Sequence, residues 1–394
     1  MNVLEILAWT GGLRHIAGIP LGAVLLDRRT IEPRRPCRIR SGANLGWPSR
    51  CACTWAVSAG ETMDDLAKAG RPREILRSAA VALAVTIATL AALEILLRIA
   101  DFRELREGVN ERSLSYRHDA ELGWFPAPNS SSVVTNARTF HVQHNSLGLR
   151  DIEFVPDARP TIMFLGDSFV WGLDAEADQR FSDLLRKRVP GHNIVAAGVS
   201  GFGTDQEYLL LQRLWPTIKP AVVVLIFCTQ NDRQDNSTNI RYEGYQKPYF
   251  VTAADGSLVL RGQPVPKSRL QVIKEDWLVR HLWLGRLVSA VYLKVRHPLL
   301  SVPDPTERLV GTMRDFVQAN GGKFLVGLQY RDPELIRYLQ AERIPFVSFD
   351  GAGFYPGASE GTHWTPEGHK LVAERVLGLL SENNIVSAGI RSPE

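Results

Sequence analysis

Thr161-Ile162-Met163-Phe164-Leu165-Gly166-Asp167-Ser168-Phe169-Val170 decides how the rest of the chain is read. An apolar run of strand length, Thr161–Leu165, stops abruptly in Gly-Asp-Ser, and a helix-compatible segment, Asp178–Arg188, follows. A strand that ends in a small-residue turn before a helix sets that turn at the carboxyl end of a sheet. Open α/β sheets bind ligands at that end. A Ser held there is exposed and able to attack. Gly, Asp and Ser are also ordinary turn residues, so any chemistry has to be carried by the surrounding chain.

Outward from this stretch the pattern alternates. Strands are expected at Thr161–Leu165, Asn193–Ala197, Ala221–Phe227, Lys323–Leu328 and Pro345–Phe349. Helices are expected at Asp178–Arg188, Asp205–Trp215, Thr306–Gln318, Pro333–Ala341 and Pro366–Glu382. Such alternation predicts a parallel sheet covered on both faces. Ala221–Phe227 has no polar alternation and reads as a central strand. An insertion, 233–304, separates the third strand from the fourth. Tyr249–Thr252 and Ser257–Leu260 flank Asp255-Gly256 and read as a hairpin. Trp277 to Val295 reads as one amphipathic helix whose aromatics, Trp277, Trp283 and Tyr292, pack against the body. An insertion of this size near the site could form a lid or acyl pocket.

The chain has 394 residues and a formal net charge of +4, and the excess is local. Residues 1–62 hold eight Arg, no Lys and four acidic residues; the remainder balances at 38 basic and 38 acidic. Nucleic-acid binding therefore gains no support from the body. Cys37, Cys51 and Cys53 also lie in this first segment, spaced unlike a zinc knuckle. Cys228 reads as a core residue. Residues 1–62 lack periodicity, and Met63 opens more ordinary sequence. Met63 is read as the true start, with 1–62 a non-native or disordered extension.

Arg71, Arg73 and Arg77 precede Ala79–Leu97, which has 19 residues and one charge, Glu94. At about 1.5 Å per residue this spans roughly 28 Å, close to a bilayer core. Residues 63–100 are read as a cytoplasmic stub and a single transmembrane anchor. The leading Arg cluster sets the N-terminus inside and the body outside the cytoplasm. Residues 101–158 read as a polar connector with two turn-rich motifs, Leu122-Gly123-Trp124-Phe125-Pro126 and His144-Asn145-Ser146-Leu147-Gly148-Leu149-Arg150. His141 and His144 read as polar loop residues. A domain is expected at 159–385 and a tail at 386–394.

Nucleophilic acyl transfer needs a nucleophile, a base, a group that orients the base, and donors for the developing oxyanion. Four stretches offer these, three after strands and one before the last helix. Gly166-Asp167-Ser168 supplies the nucleophile, Ser168. Gly198-Val199-Ser200-Gly201-Phe202-Gly203-Thr204 offers backbone amides that a ligand can approach closely. Gln230-Asn231-Asp232 offers a side-chain amide. In Glu360-Gly361-Thr362-His363 the imidazole can swing toward the strand ends, and Glu360 can hold it. His369 falls in the helix and reads as structural.

In this order the four stretches resemble the SGNH (GDSL-type) hydrolase family. The resemblance covers about 160–382. It implies a flavodoxin-like three-layer α/β/α fold, with Ser168 as nucleophile and His363 as base. It also implies an oxyanion hole of the Ser168 and Gly201 amides and the Asn231 side chain. Two departures stand out: Glu360 where the family has Asp, and Thr229 where its third block begins with Gly. Asp232 reads as a structural partner of its turn. The anchor, with the two motifs ahead of the Ser block, resembles membrane-tethered bacterial members. That implies an inner-membrane, single-pass protein with a periplasmic or extracellular body. The function implied is a serine esterase acting on an O-acyl group of a glycan or lipid. An exopolysaccharide O-acyltransferase and a non-catalytic glycan-binding protein are the alternatives. No cofactor or metal is expected, and the oligomeric state is left open.

Overall fold

The computed structural model describes residues 72–107, 111–242, 244–357 and 362–387. The expectations for Met63, for 1–62 and for Glu360 fall outside these residues, as do those for residues 63–71 and most of the tail.

Two antiparallel hairpins precede the sheet: β1 (Tyr116–Asp119) with β2 (Gly123–Pro126), and β3 (Ser131–Thr135) with β4 (Thr139–Gln143). The central strands are β5 (Thr161–Gly166), β6 (Asn193–Gly198) and β7 (Val222–Phe227). Within the insertion lie β8 (Ile240–Arg241), β9 (Tyr245–Gln246), β10 (Tyr249–Thr252) and β11 (Leu258–Arg261). β12 (Lys323–Leu328) and β13 (Phe346–Ser348) complete the sheet, in the order β13-β12-β7-β5-β6, all parallel. This is the flavodoxin-like order. The chain leaves β5 for β6 on one side and crosses to β7 on the other. The switch point, where such sheets bind ligands, therefore lies beside β5.

Side chains alternate between two apolar layers. Met163, Leu165, Val223 and Leu225 face helices Thr204–Ile218 and Thr306–Ala319. Ile162, Phe164, Val222, Val224 and Ile226 face helices Phe181–Arg188 and Pro366–Glu382. Both faces are dry, which explains why these strands lack polar alternation. The hairpins β1–β4 join the first layer: Trp124, Phe140 and Val142 are buried in it. The stretch ahead of β5 is thus part of the body's core.

Helix Pro72–Ala100 contains a segment long and apolar enough to cross a membrane. The hairpin of β10 and β11 forms as expected, with Gly256 at φ +83° in the turn. The predicted helix from Trp277 to Val295 is instead two, Trp277–His281 and Trp283–Arg296, broken at the extended Leu282. The cause is tertiary. The Glu94 carboxylate accepts from the Trp283 and Leu284 amides at 3.0 and 2.8 Å, capping a new helix start. The expected packing of the aromatics fails for Trp277 and Tyr292, which are exposed.

Candidate active site

The turn after β5 is held by its own Asp. The Asp167 carboxylate accepts from the Phe169 amide at 2.9 Å and caps the short helix Ser168–Trp171. Ser168 therefore occupies the first helical position at the carboxyl edge of the sheet. Its Oγ lies 2.7 Å from His363 Nε2 and 3.4 Å from Asp167 Oδ2. With Nε2 unprotonated, the hydroxyl donates to it over the shorter contact; with Nε2 protonated, the hydroxyl is left to donate to Asp167. Ser168 is only 7% exposed, so the sequence expectation of an open hydroxyl is corrected. The His363 imidazole lies against it, and the Phe169 ring, 4.8 Å away between centroids, flanks that imidazole.

His363 is fixed by the backbone on both sides. Its carbonyl accepts from the Tyr355 amide, and the Thr365 amide donates to Gly353, each at 2.9 Å. Thr365 then caps helix Pro366–Glu382 through its hydroxyl, with Pro366 opening the helix. Trp364 is buried against Phe169, Phe181 and Phe349. The loop is thereby anchored on each flank of the imidazole.

A carboxylate that the sequence does not single out stands near this imidazole, beyond hydrogen-bond length. Asp174 Oδ2 lies 4.0 Å from His363 Nδ1. Asp174 is fully buried, at a left-handed φ of +66°. The turn joining β3 to β4 holds it: Asn136 Nδ2 and the Ala137 amide donate at 2.8 and 2.9 Å, and the Arg138 amide at 3.3 Å. Burial pushes its carboxyl above the ordinary value, while these donors favour the ionised form. Arg150, from the second motif ahead of β5, clamps the same segment, donating to the carbonyls of Trp171, Gly172 and Ala175. Nothing in the spacing of residues 136–174 announces this contact; only the folding of β3–β4 onto the Ser168 turn creates it.

The two other expected stretches lie at the same edge. Gly166 is in register with Gly198 on β6 and Ile226 on β7, so the loops after these strands emerge beside Ser168. Gly201 has φ +81°, and a Cβ there would meet the Tyr242 ring at 2.5 Å. The neighbouring Ser200 is held by Trp124 Nε1, which donates to its carbonyl at 3.1 Å, and by the Tyr116 hydroxyl, which accepts from its amide at 3.2 Å. Asn231 Nδ2 donates to Asp235 Oδ2 at 2.9 Å. That contact fixes which way the amide faces and leaves its second N–H uncommitted to Asp235.

Beneath the turn lies a buried acidic group. Asp167, Cys228 and Asp232 bring potential ligand atoms within 4.8 Å of one another. Burial and the two carboxylates push the Cys228 thiol well above its ordinary value, and it donates to Gln329 Oε1 at 3.4 Å. Cys228 is thus held as a core thiol by its buried surroundings. The Asp232 carboxylate accepts from the Cys228 amide at 2.7 Å, which matches a turn-holding role. His369 is buried in stacking contact with Phe181, and burial lowers it to about 3. His144 Nε2 accepts from Trp171 Nε1 at 3.1 Å, and burial lowers it to about 4.

No family model and no curated protein matches the chain. Several solved structures are similar. One is described as the crystal structure of TesA, at 18% identity and TM-score 0.34, spanning 56% of this chain and 98% of that one. Another is described as a member of the lipolytic protein G-D-S-L family from Veillonella parvula DSM 2008, at 15% identity and TM-score 0.30, spanning 57% and 99%. A third is a two-domain esterase active on acetylated mannans, at 13% identity and TM-score 0.33, spanning 60% and 52%.

Proposed function

We propose that this protein is a serine ester hydrolase that works through an acyl-enzyme. The observation that carries the reading is the 2.7 Å contact between Ser168 Oγ and His363 Nε2 at the switch point of the sheet. Nucleophile and base stand 195 residues apart in sequence, yet meet at hydrogen-bond length.

Ser168 Oγ attacks the ester carbonyl as His363 Nε2 takes its proton. The imidazolium that forms is stabilised by the Asp174 carboxylate and by Glu360, three residues before His363 in the sequence. The tetrahedral oxyanion is received by the Ser168 and Gly201 amides and the free N–H of Asn231. His363 then returns the proton to the leaving alcohol. Water, activated by the same imidazole, releases the acid and restores Ser168. The substrate class is an O-acyl group on a glycan or lipid. Helix 72–100 anchors the body, and Arg71, Arg73 and Arg77 at its amino end support a non-cytoplasmic body.

The test is hydrolysis of short- and medium-chain p-nitrophenyl esters by the full chain in detergent, with and without an acceptor glycan. Turnover abolished in Ser168→Ala, with an acylated serine trapped on slow substrates, is the expected result. Undiminished turnover in that variant refutes the mechanism. Acyl transfer to glycan in preference to water assigns the same site to a transferase.

A further inference from the structure

Helix Trp283–Arg296 has two unlike faces. Arg286 and Leu293 are buried, toward the body. On the other side Val288, Val291, Tyr292 and Val295 recur at i, i+3, i+4 and i+7, and are 62%, 54%, 58% and 73% exposed. Trp277 before the helix and Leu299 after it are exposed as well, at 70% and 67%. Soluble monomers rarely leave contiguous apolar patches of this kind to water. The charge pattern is one-sided as well: residues 277–303 contain four Lys or Arg and no Asp or Glu. Two of them, Lys294 and Arg296, flank the stripe.

The position of this helix says what covers it. Its first amides, Trp283 and Leu284, donate to Glu94, and Arg98 Nη2 donates to the His281 carbonyl at 2.6 Å. Glu94 lies six residues before the end of helix 72–100, a rise of about 9 Å. The exposed helix therefore begins level with the last turn of the apolar stretch that ends at Leu97. We propose that segment 277–299 is an interfacial membrane element. Its stripe lies at the headgroup–acyl boundary of the bilayer that helix 72–100 crosses, and Lys294 and Arg296 reach lipid phosphates. This rests on reading helix 72–100 as membrane-spanning. A basic amphipathic helix joined to the end of such a span meets a lipid surface before it meets any soluble partner.

The experiment uses the full chain in nanodiscs of phosphatidylethanolamine and phosphatidylglycerol. An NBD fluorophore is attached through Val288→Cys, Val291→Cys or Val295→Cys, with Cys37, Cys51 and Cys53 replaced by Ser. Thr89→Cys, in the middle of the apolar stretch, reports the span, and Gln318→Cys, exposed on the body, reports water. The stripe probes are expected to emit at shorter wavelength than Gln318→Cys. They should be quenched at least twofold more by 5-doxyl than by 12-doxyl lipid, with the opposite order at Thr89→Cys. Stripe probes with the emission of Gln318→Cys overturn the proposal. Blue-shifted stripe probes that no doxyl lipid quenches also overturn it, since a second copy or another protein then covers the stripe. If Thr89→Cys is itself unquenched, the span reading fails and the proposal with it. That outcome differs from a quenched Thr89→Cys beside unquenched stripe probes.

Discussion

Asp174→Asn tests the contact that completes the proposed catalytic group. The substitution keeps shape and removes charge. One oxygen still accepts from the Ala137 and Arg138 amides, and the Asn136 side chain can turn over to accept from the new amide. The fold should lose only about 1 kcal/mol, the worth of one altered hydrogen bond. The effect on the reaction is larger. Asp174 Oδ2 stands 4.0 Å from His363 Nδ1. Unit charges at that separation interact by about 4 kcal/mol at an effective dielectric near 20. Three other donors share the carboxylate's charge, so about 2 kcal/mol is the lower working figure. Between these figures kcat/KM should fall roughly 30- to 1,000-fold. Losing a nearby negative charge also disfavours protonation of the imidazole, so the acid limb of the kcat/KM profile should move to lower pH. The assay is ester hydrolysis across pH 5 to 9, with thermal melting alongside. Glu360→Gln is the companion variant. Unchanged kcat/KM and an unmoved acid limb in folded Asp174→Asn refute the reasoning. A full loss in Glu360→Gln with none in Asp174→Asn assigns the orienting role to Glu360.

Asn231→Ala should leave the melting temperature within a few degrees and lower kcat about 100- to 1,000-fold, as loss of one oxyanion donor does; equal kcat excludes the side chain from the hole. Gly201→Ala forces a Cβ into the left-handed region and toward the Tyr242 ring at 2.5 Å, so kcat should fall steeply with a destabilisation of about 1 kcal/mol or more. Trp124→Phe removes the donor to the Ser200 carbonyl; activity should fall more than stability if that loop serves the reaction. His144 is held neutral down to about 4 by burial. Its folded value lies below the unfolded one, so its contribution to stability is present above pH 6.5 and lost as pH falls toward 4. The stability gap between wild type and His144→Gln should therefore narrow by up to about 1.4 kcal/mol per pH unit across that window; a constant gap contradicts a buried neutral imidazole.

The sheet was legible because parallel strands buried on both faces must be apolar throughout, and glycine or polar turns must end them. Lys323–Leu328, Pro333–Ala341 and Pro366–Glu382 match the expected bounds residue for residue. The turns that hold Ser168 and His363 were legible for a related reason: each stands at an element boundary, where local chemistry sets the geometry. The break at Leu282 was not legible. Leu, Trp and Leu all suit a helix, and the interruption comes from a carboxylate 189 residues away that takes up the Trp283 amide.

By itself, then, the sequence determined the alternation of elements, the apolar stretch and the two turns that hold Ser168 and His363. Each of these depends on residues within one turn or one strand of each other, whereas the meeting of the two side chains across 195 residues depends on the fold. The tertiary structure alone decided three things: that the β3–β4 turn holds Asp174 4.0 Å from the imidazole, that Trp124 and Arg150 brace the loops around Ser168, and that an apolar stripe begins beside the last turn of helix 72–100. These are contacts between distant segments. Their energy comes from burial and from satisfying polar groups that water can no longer reach, and no periodicity along the chain encodes which distant groups will meet.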